Sequence, residues 1–320
     1  MTDEPTNKLR MDRETATAKK ALDRRAMMGM TAAGLAGSLL ACATGSAAHQ
    51  PSATQLPRRR RFDGKVVLIT GATSGIGRAA AIAFASEGGK VGFCGRREQL
   101  GQEVERQIKS AGGEAAYVRA DVLVEDDVKT FVDRIVARYR RLDVAFNNAG
   151  ITIEKPLHEY SSEEWDSVVN TNLRGVFLAM KYEIPHMIAG GGGNIVVTSS
   201  SNAIATTERR SAYTASKRGL VGLVQSAALD YASKGIRVNV LIPGTTDTAL
   251  VRRVAGMDKV PDPVWEAMAS QWAKSHVPGL GRMATPEEIA AFALVLASDD
   301  HPYMTGAQMV IDGGKTAHGG

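Results

Sequence analysis

From Phe62 onward the chain alternates between short apolar runs and longer amphipathic stretches. KVVLIT (65–70), KVGFC (90–94), AAYVRA (115–120), LDVAFN (142–147), NIVVTS (194–199), RVNVLI (237–242) and QMVID (308–312) each read as strands, and helical stretches separate them. Strands with no polar face must be buried on both sides, and the intervening helices supply the cover. The pattern predicts an α/β fold: a doubly wound, mostly parallel β-sheet flanked by helices on both faces, as one domain over 62–320. Two helix starts are marked in the residues themselves. Ser161 and Glu164 have the spacing of a capping box, and Thr285, Pro286 and Glu288 combine an N-cap, an N1 proline and a returning carboxylate.

The composition ahead of this core is different. Residues 1–22 are polar and mixed in charge, have little to bury, and are expected to be disordered. In DRRAMMGMTAAGLAGSLLAC (23–42) the pair Arg24–Arg25 precedes a run without charge from Ala26 to Ala43. That run approaches the length of a membrane span, yet Gly29, Gly34, Gly37, Thr31 and Ser38 keep it weakly hydrophobic. It resembles a twin-arginine export signal, and LLAC (39–42) resembles a lipobox in which Cys42 would carry a lipid anchor. The expectation is therefore export, periplasmic or lipid-anchored, over residues 1–48. An uncleaved membrane anchor and a cytoplasmic protein are the alternatives. Residues 49–61 read as a linker ending in Arg58, Arg59, Arg60 and Arg61, a run that supplies much of the net charge of +5. It lacks interleaved aromatics and a recognition helix, so no nucleic-acid partner is expected. Two cysteines, Cys42 and Cys94, and six scattered histidines support neither a disulfide framework nor a metal site.

TGATSGIG (70–77) lies between the first strand and the first helix. Gly71, Gly75 and Gly77 permit a tight turn and close backbone approach to a pyrophosphate, while the helix start offers free N–H groups and a positive dipole end. With Thr73, Ser74 and Ile76 they form a candidate dinucleotide cradle. The spacing T-G-x-x-x-G-x-G resembles the short-chain dehydrogenase/reductase family, and the resemblance covers about 62–316. It implies a single Rossmann-fold domain. It also implies cofactor contacts from Asp121 and Val122 after the third strand, from Asn148, Ala149 and Gly150 in NNAG (147–150), and from Pro243, Gly244, Thr246 and Thr248 in PGTTDT (243–248). At the end of the second strand, Gly95 replaces the acid that would bind both ribose hydroxyls of NAD, and Arg96 and Arg97 follow. A guanidinium matches a phosphate dianion in charge and fork geometry. NADP(H) is therefore the expected cofactor, with NAD(H) as the alternative.

YTASK (213–217) sets Tyr213 and Lys217 four residues apart, on one helix face. A phenol ionises near pH 10, and a neighbouring ammonium is expected to lower that value towards a useful range. Ser200 lies thirteen residues upstream of Tyr213, just past NIVVTS, between Ser199 and Ser201. By the resemblance Ser200, Tyr213 and Lys217 are catalytic, and TNLRGVF (171–177) nominates Asn172 as the fourth member, with Asn170 as runner-up. Lys217 and Tyr213 would also contact the cofactor. The implied activity is NAD(P)(H)-dependent hydride transfer between nicotinamide and an alcohol or ketone. The alternatives are a non-catalytic dinucleotide sensor and a lipid-anchored binding protein on the same scaffold. Residues 249–282 are expected to form a lid in which Trp265, Met268 and Trp272 either pack on the core or touch substrate. Glu208, Arg209 and Arg210 stand near the tyrosine. The resemblance further implies a homotetramer.

Overall fold

The computed structural model describes residues 60–317. The expected export signal at Arg24–Arg25, the lipid-anchor cysteine Cys42, and the linker as far as Arg59 lie outside them.

Seven strands form one sheet in the order β3-β2-β1-β4-β5-β6-β7, every neighbouring pair parallel. They are β1 (Val66–Thr70), β2 (Lys90–Gly95), β3 (Glu114–Arg119), β4 (Val144–Asn147), β5 (Gly193–Thr198), β6 (Ile236–Pro243) and β7 (Gln308–Ile311). All seven apolar runs are strands. On one face pack α1 (Gly75–Ser86), α2 (Glu98–Ser110) and α9 (Pro286–Ala297), around Phe62, Phe84, Phe93 and Leu294. On the other lie α3 (Glu125–Tyr139), α5 (Gly175–Ala189) and α6 (Ser211–Tyr231), around Phe131, Ile135, Ile184 and Leu220. A short α4 (Ser162–Val169) precedes α5, and α7 (Ala249–Val254) and α8 (Asp262–His276) follow β6. Both capping boxes are present, on α4 and α9.

Strand order reverses between β1 and β4, because β2 and β3 extend one way and β5 to β7 the other. The helices that follow β1 and β4 leave to opposite faces, and a crevice opens above the carboxyl ends of those strands. Every cofactor and catalytic residue expected from the sequence lies at or near that rim.

One detail differs from the sequence expectations and one is resolved between two readings. Arg61 is not solvated linker: its guanidinium donates two bonds of 2.6 Å to Glu87 beyond α1, and Phe62 is fully buried against Phe84. The domain is pinned at Arg61. In the lid, Trp265 is 2% exposed and its indole N–H donates to Asp247 at 2.8 Å, while Met268 and Trp272 are half-buried. Of the two readings of those side chains, core packing holds for Trp265.

Candidate active site

The glycine-rich turn is shaped by close backbone contacts. A Cβ at Gly71 would stand 2.6 Å from the Ala149 Cα, and one at Gly77 would stand 2.4 Å from the Gly71 carbonyl oxygen. Gly71 and Gly75 also have φ of +72° and +56°, a region that disfavours other residues. Ser74, the N-cap of α1, makes no side-chain cap, and no acid sits in the first turn. The first N–H groups of α1 therefore face the crevice without an intramolecular acceptor, which is the environment an anionic pyrophosphate fits. Ile76 packs half-buried on the core. Thr248 caps α7, accepting from the Val251 N–H at 3.4 Å, and its methyl lies 3.2 Å from where a Gly75 Cβ would be. The two ends of the expected cofactor track thus face each other across the turn.

At the end of β2 the Arg97 guanidinium donates to Thr73 Oγ1 at 2.8 Å and Ser74 Oγ at 2.6 Å. Burial, together with the neighbouring charges of Arg253 and Arg96, pulls Arg97 below the usual guanidinium value. Arg96 is exposed and stands 3.6 Å from Asp121. Gly95 has a steric cause: a Cβ there would meet the Thr73 methyl at 2.6 Å. Asp121 accepts from the Leu123 N–H at 3.1 Å, which turns the chain after β3, and Val122 is buried against Gly175. The Val122 side chain therefore belongs to the core, and only its backbone faces the rim.

The segment after β4 joins this end to the other. Asn148 Nδ2 donates to the Gly71 carbonyl at 3.2 Å and its Oδ1 accepts from Thr198 at 3.3 Å. The backbone N–H groups of Asn148 and Ala149 donate to Thr70 Oγ1. Beyond them, Asn172 closes on Ile151 through both backbone groups, at 2.8 and 2.9 Å, and donates to Ser216 Oγ at 3.0 Å. It is fully buried and lies in a π-turn, Asn170–Arg174, between α4 and α5, rather than within a regular helix. A π-turn inserts one residue into the helical register and re-aims a side chain. Asn170 is half-buried outside this network.

Lys217 is 3% exposed and donates to the Thr198 carbonyl at 2.8 Å, with its ammonium 5.7 Å from the centre of the Tyr213 ring. A Cβ on Gly150 would lie 3.3 Å from Asn172 Oδ1 and 3.5 Å from Lys217 Nζ, so these three positions converge. Ser200 Oγ accepts from the Asn202 N–H at 3.2 Å and pulls on the Tyr213 phenol beside it, whereas the Ser199 hydroxyl is committed to the Lys217 carbonyl at 2.8 Å. Of the three consecutive serines, Ser200 faces the tyrosine. The electrostatics differ from the expectation. Burial pushes the Tyr213 phenol above its ordinary value; the opposing pulls come from Ser200 and Arg210, not Lys217. Lys217 is itself pushed down to about 8 by burial, having no carboxylate partner. On the far wall, Pro243 and Thr246 are buried, and a Cβ on Gly244 would stand 2.6 Å from the Asp312 Cα. Among the described residues no group of three or more His, Cys, Asp or Glu side chains could hold a metal ion.

Sequence reasoning missed Thr70 and Thr198, which splint the turn, because strand-end threonines carry no spacing signal. It also missed the cleft formed by Thr152, Glu154, Leu250, Arg253 and Val254, where two segments distant in the chain meet.

The fold and crevice define a dinucleotide-binding α/β protein. The family profile described as enoyl-(acyl carrier protein) reductase matches residues 71–316, and the chain belongs to the short-chain dehydrogenase/reductase family. It is 38% identical over 258 residues to the cyclohexanol dehydrogenase of Acinetobacter sp. (strain SE19), covering 80% of this chain and 97% of that protein. It is 40% identical over 256 residues to the 3-oxoacyl-[acyl-carrier-protein] reductase FabG of Thermotoga maritima, covering 79% and 98%. The solved structure of levodione reductase superposes with a TM-score of 0.74 at 33% identity, over 81% of this chain and all of that one. This protein is an oxidoreductase of a family that uses NAD(P) and acts on alcohols and carbonyls.

Proposed function

We propose that the chain is an NADP(H)-preferring dehydrogenase/reductase that interconverts a secondary alcohol and its ketone. The reading is carried by one observation: Asn172 and Lys217 converge on Gly150, and the Lys217 ammonium lies 5.7 Å from the ring of Tyr213, whose hydroxyl has Ser200 beside it. The cradle 71–77, Arg97, Asp121, Asn148 to Gly150 and Pro243 to Thr248 would hold the dinucleotide, which when bound supplies or accepts the hydride. Tyr213 Oη donates a proton to the substrate oxygen in reduction and takes it back in oxidation. Ser200 Oγ hydrogen-bonds that oxygen and keeps it in reach of the phenol. Ser200 and Arg210 supply the pulls that favour phenolate, and Asn172 fixes the Ile151 backbone near Lys217. The NADP(H) preference is supported by Gly95, where Thr73 leaves no room for an acid, and by the Arg97 fork beside Ser74.

The experiment is turnover of the purified chain with NADP(H) and NAD(H) against a panel of cyclic and open-chain secondary alcohols and ketones. Cofactor binding without turnover on any substrate, unaltered by Tyr213→Phe, supports the sensor reading instead. We propose further that the chain assembles as a homotetramer through α5 and α6. The exposed Phe177 and Leu229 on those helices support this, at 47% and 83% exposure, and sedimentation of the wild type against Phe177→Glu tests it. Export by the twin-arginine route, with Cys42 lipidated, is a proposal from the residues alone. Cell fractionation with an Arg24/Arg25→Lys variant checks it.

A further inference from the structure

Helix α5 turns Val176, Ala179, Met180, Ile184 and Met187 into the core, and among them it places Glu183. The carboxyl is 0% exposed, and its Oε2 accepts from Asn147 Nδ2 at 2.9 Å. Asn147 ends β4 and is itself 1% exposed. The remaining oxygens of the same two groups, Glu183 Oε1 and Asn147 Oδ1, are both buried and both without a partner. An ionised carboxylate only accepts, and so does an amide oxygen. Buried acceptors left unpaired lose their hydration with nothing in return. A single proton satisfies both. Oε1–H donates to Oδ1 while Nδ2–H donates to Oε2, and the acid and amide close a ring of two hydrogen bonds.

We propose that Glu183 is held as a neutral carboxylic acid, paired through two hydrogen bonds with the Asn147 amide, and that this pair positions the Asn148–Gly150 turn. The turn is where the two ends of the active site meet. Asn148 holds the Gly71 carbonyl, Ala149 packs under Gly71, and Gly150 faces Asn172 and Lys217. Its first anchor in the sheet is Asn147, so a shift of that amide moves the cradle and the lysine together.

The electrostatics agree. Burial pushes Glu183 up to about 8, opposed only by the Asn147 bond, and no cation offsets the burial. From β2 the Cys94 thiol packs in the same core, and burial above all pushes it up to about 12, so it stays neutral beside Glu183. The other charges on α5 and α3 answer one another at the surface: Lys181 pairs with Glu125, and His186 with Asp133. A folded value near 8 against 4.5 for the free side chain means the folded state binds the proton more tightly. The stabilisation is full below about pH 4.5, declines as pH rises, and is gone above about 8, where the ring opens.

Glu183→Gln is the isosteric control, since its amide donates to Oδ1 and accepts from Nδ2 at every pH. Infrared difference spectra between about pH 6 and pH 10 are expected to show a protonated-carboxyl band in the wild type that is lost near pH 8 and missing from Glu183→Gln. Dinucleotide affinity at about pH 7 should stay within about twofold in Glu183→Gln and fall about tenfold in Glu183→Leu, which removes both hydrogen bonds and frees the Asn147 amide to shift. If Glu183→Leu does not fold, Glu183→Asp, which keeps the acid but shortens its reach, takes its place with the same expected loss. Absence of the band, or wild-type affinity in the non-pairing variant, overturns the proposal. Neither readout needs turnover, so a failed substrate panel leaves this test intact.

Discussion

The two ends of the crevice are built on opposite plans. At the β1–β2 end the shape comes from atoms that are missing: Gly71, Gly77 and Gly95 sit where a Cβ would stand 2.4 to 2.6 Å from a neighbour. At the β4–β5–β6 end it comes from atoms that are present, a buried set of hydroxyls, amides and one ammonium joined by hydrogen bonds of 2.7 to 3.0 Å. The first end presents backbone N–H groups that need no ionisation. The second depends on the protonation of Tyr213 and Lys217. Adding a methyl should therefore break the first end, and removing a single polar atom should break the second.

The largest effect belongs to the second end. Tyr213→Phe removes one oxygen and leaves the ring in place, so kcat should fall about 10²–10⁴-fold with dinucleotide affinity unchanged, measured by steady-state kinetics and cofactor fluorescence. A matching loss of affinity would mean that the two ends are not separable. Lys217→Met should abolish turnover as well, yet stabilise the fold. A lysine with a folded value near 8, below its ordinary 10.5, costs stability at pH below 8, and that cost fades as pH rises from 8 to 10.5. After allowing for the Thr198 carbonyl left unpaired, the variant should gain about 2 kcal/mol near pH 7 and little above pH 10, read by denaturant unfolding. At the first end, Gly77→Ala should destabilise by about 1–3 kcal/mol and weaken dinucleotide binding, because the Gly71 carbonyl and Ala72 Cα it would meet are backbone atoms that cannot swing aside.

Those contrasts also explain what was legible in the residues. The sheet was, because a strand buried on both faces must be apolar throughout, and β1 is buried at each of its five positions. The first end was legible for a similar reason, since a glycine demanded by backbone contact cannot be replaced cheaply and so stands out as a pattern. Ser200, Tyr213 and Lys217 were legible by spacing. Their electrostatics were not, because a pKa depends on burial that local spacing does not carry. The π-turn that re-aims Asn172 was hidden, since its register shift has no residue signature. Glu183 did leave a signal: a carboxyl inside an otherwise apolar stripe of α5. Its partner, Asn147, is 36 residues away and was invisible until the fold joined them.

The cofactor preference sharpens the comparison further. If the first end reads a 2′-phosphate through Arg97, then Arg97→Ala should weaken NADPH binding about tenfold and leave NADH binding unchanged, by titration calorimetry. Arg96, directed at Asp121 rather than at the turn, should matter less. Equal losses for the two cofactors would assign Arg97 to the turn itself, through Thr73 and Ser74.

The smallest effect belongs to the start of α9, whose preceding residue Ala284 exchanges backbone hydrogen bonds of 3.0 and 2.9 Å with Thr245 and Asp247 beyond β6. Glu288 closes the capping box of α9 and accepts two bonds from Arg282, at 2.6 and 2.8 Å. Those bonds pull its carboxyl down to about 2, the Arg282 contribution being the larger. A depressed folded value contributes stability that is present above the unfolded value of 4.5 and is lost as pH falls through about 2. Both side chains are more than a third exposed, so solvent screening reduces the interaction to about 1 kcal/mol. Glu288→Gln, which keeps the N-cap bond and deletes the charge, should lower stability by that amount near pH 7 and by almost nothing near pH 2. Turnover should be unchanged. A larger loss of activity than of stability would show that α9 transmits strain to the crevice through the α1 packing, and that the two-ended description omits a third element.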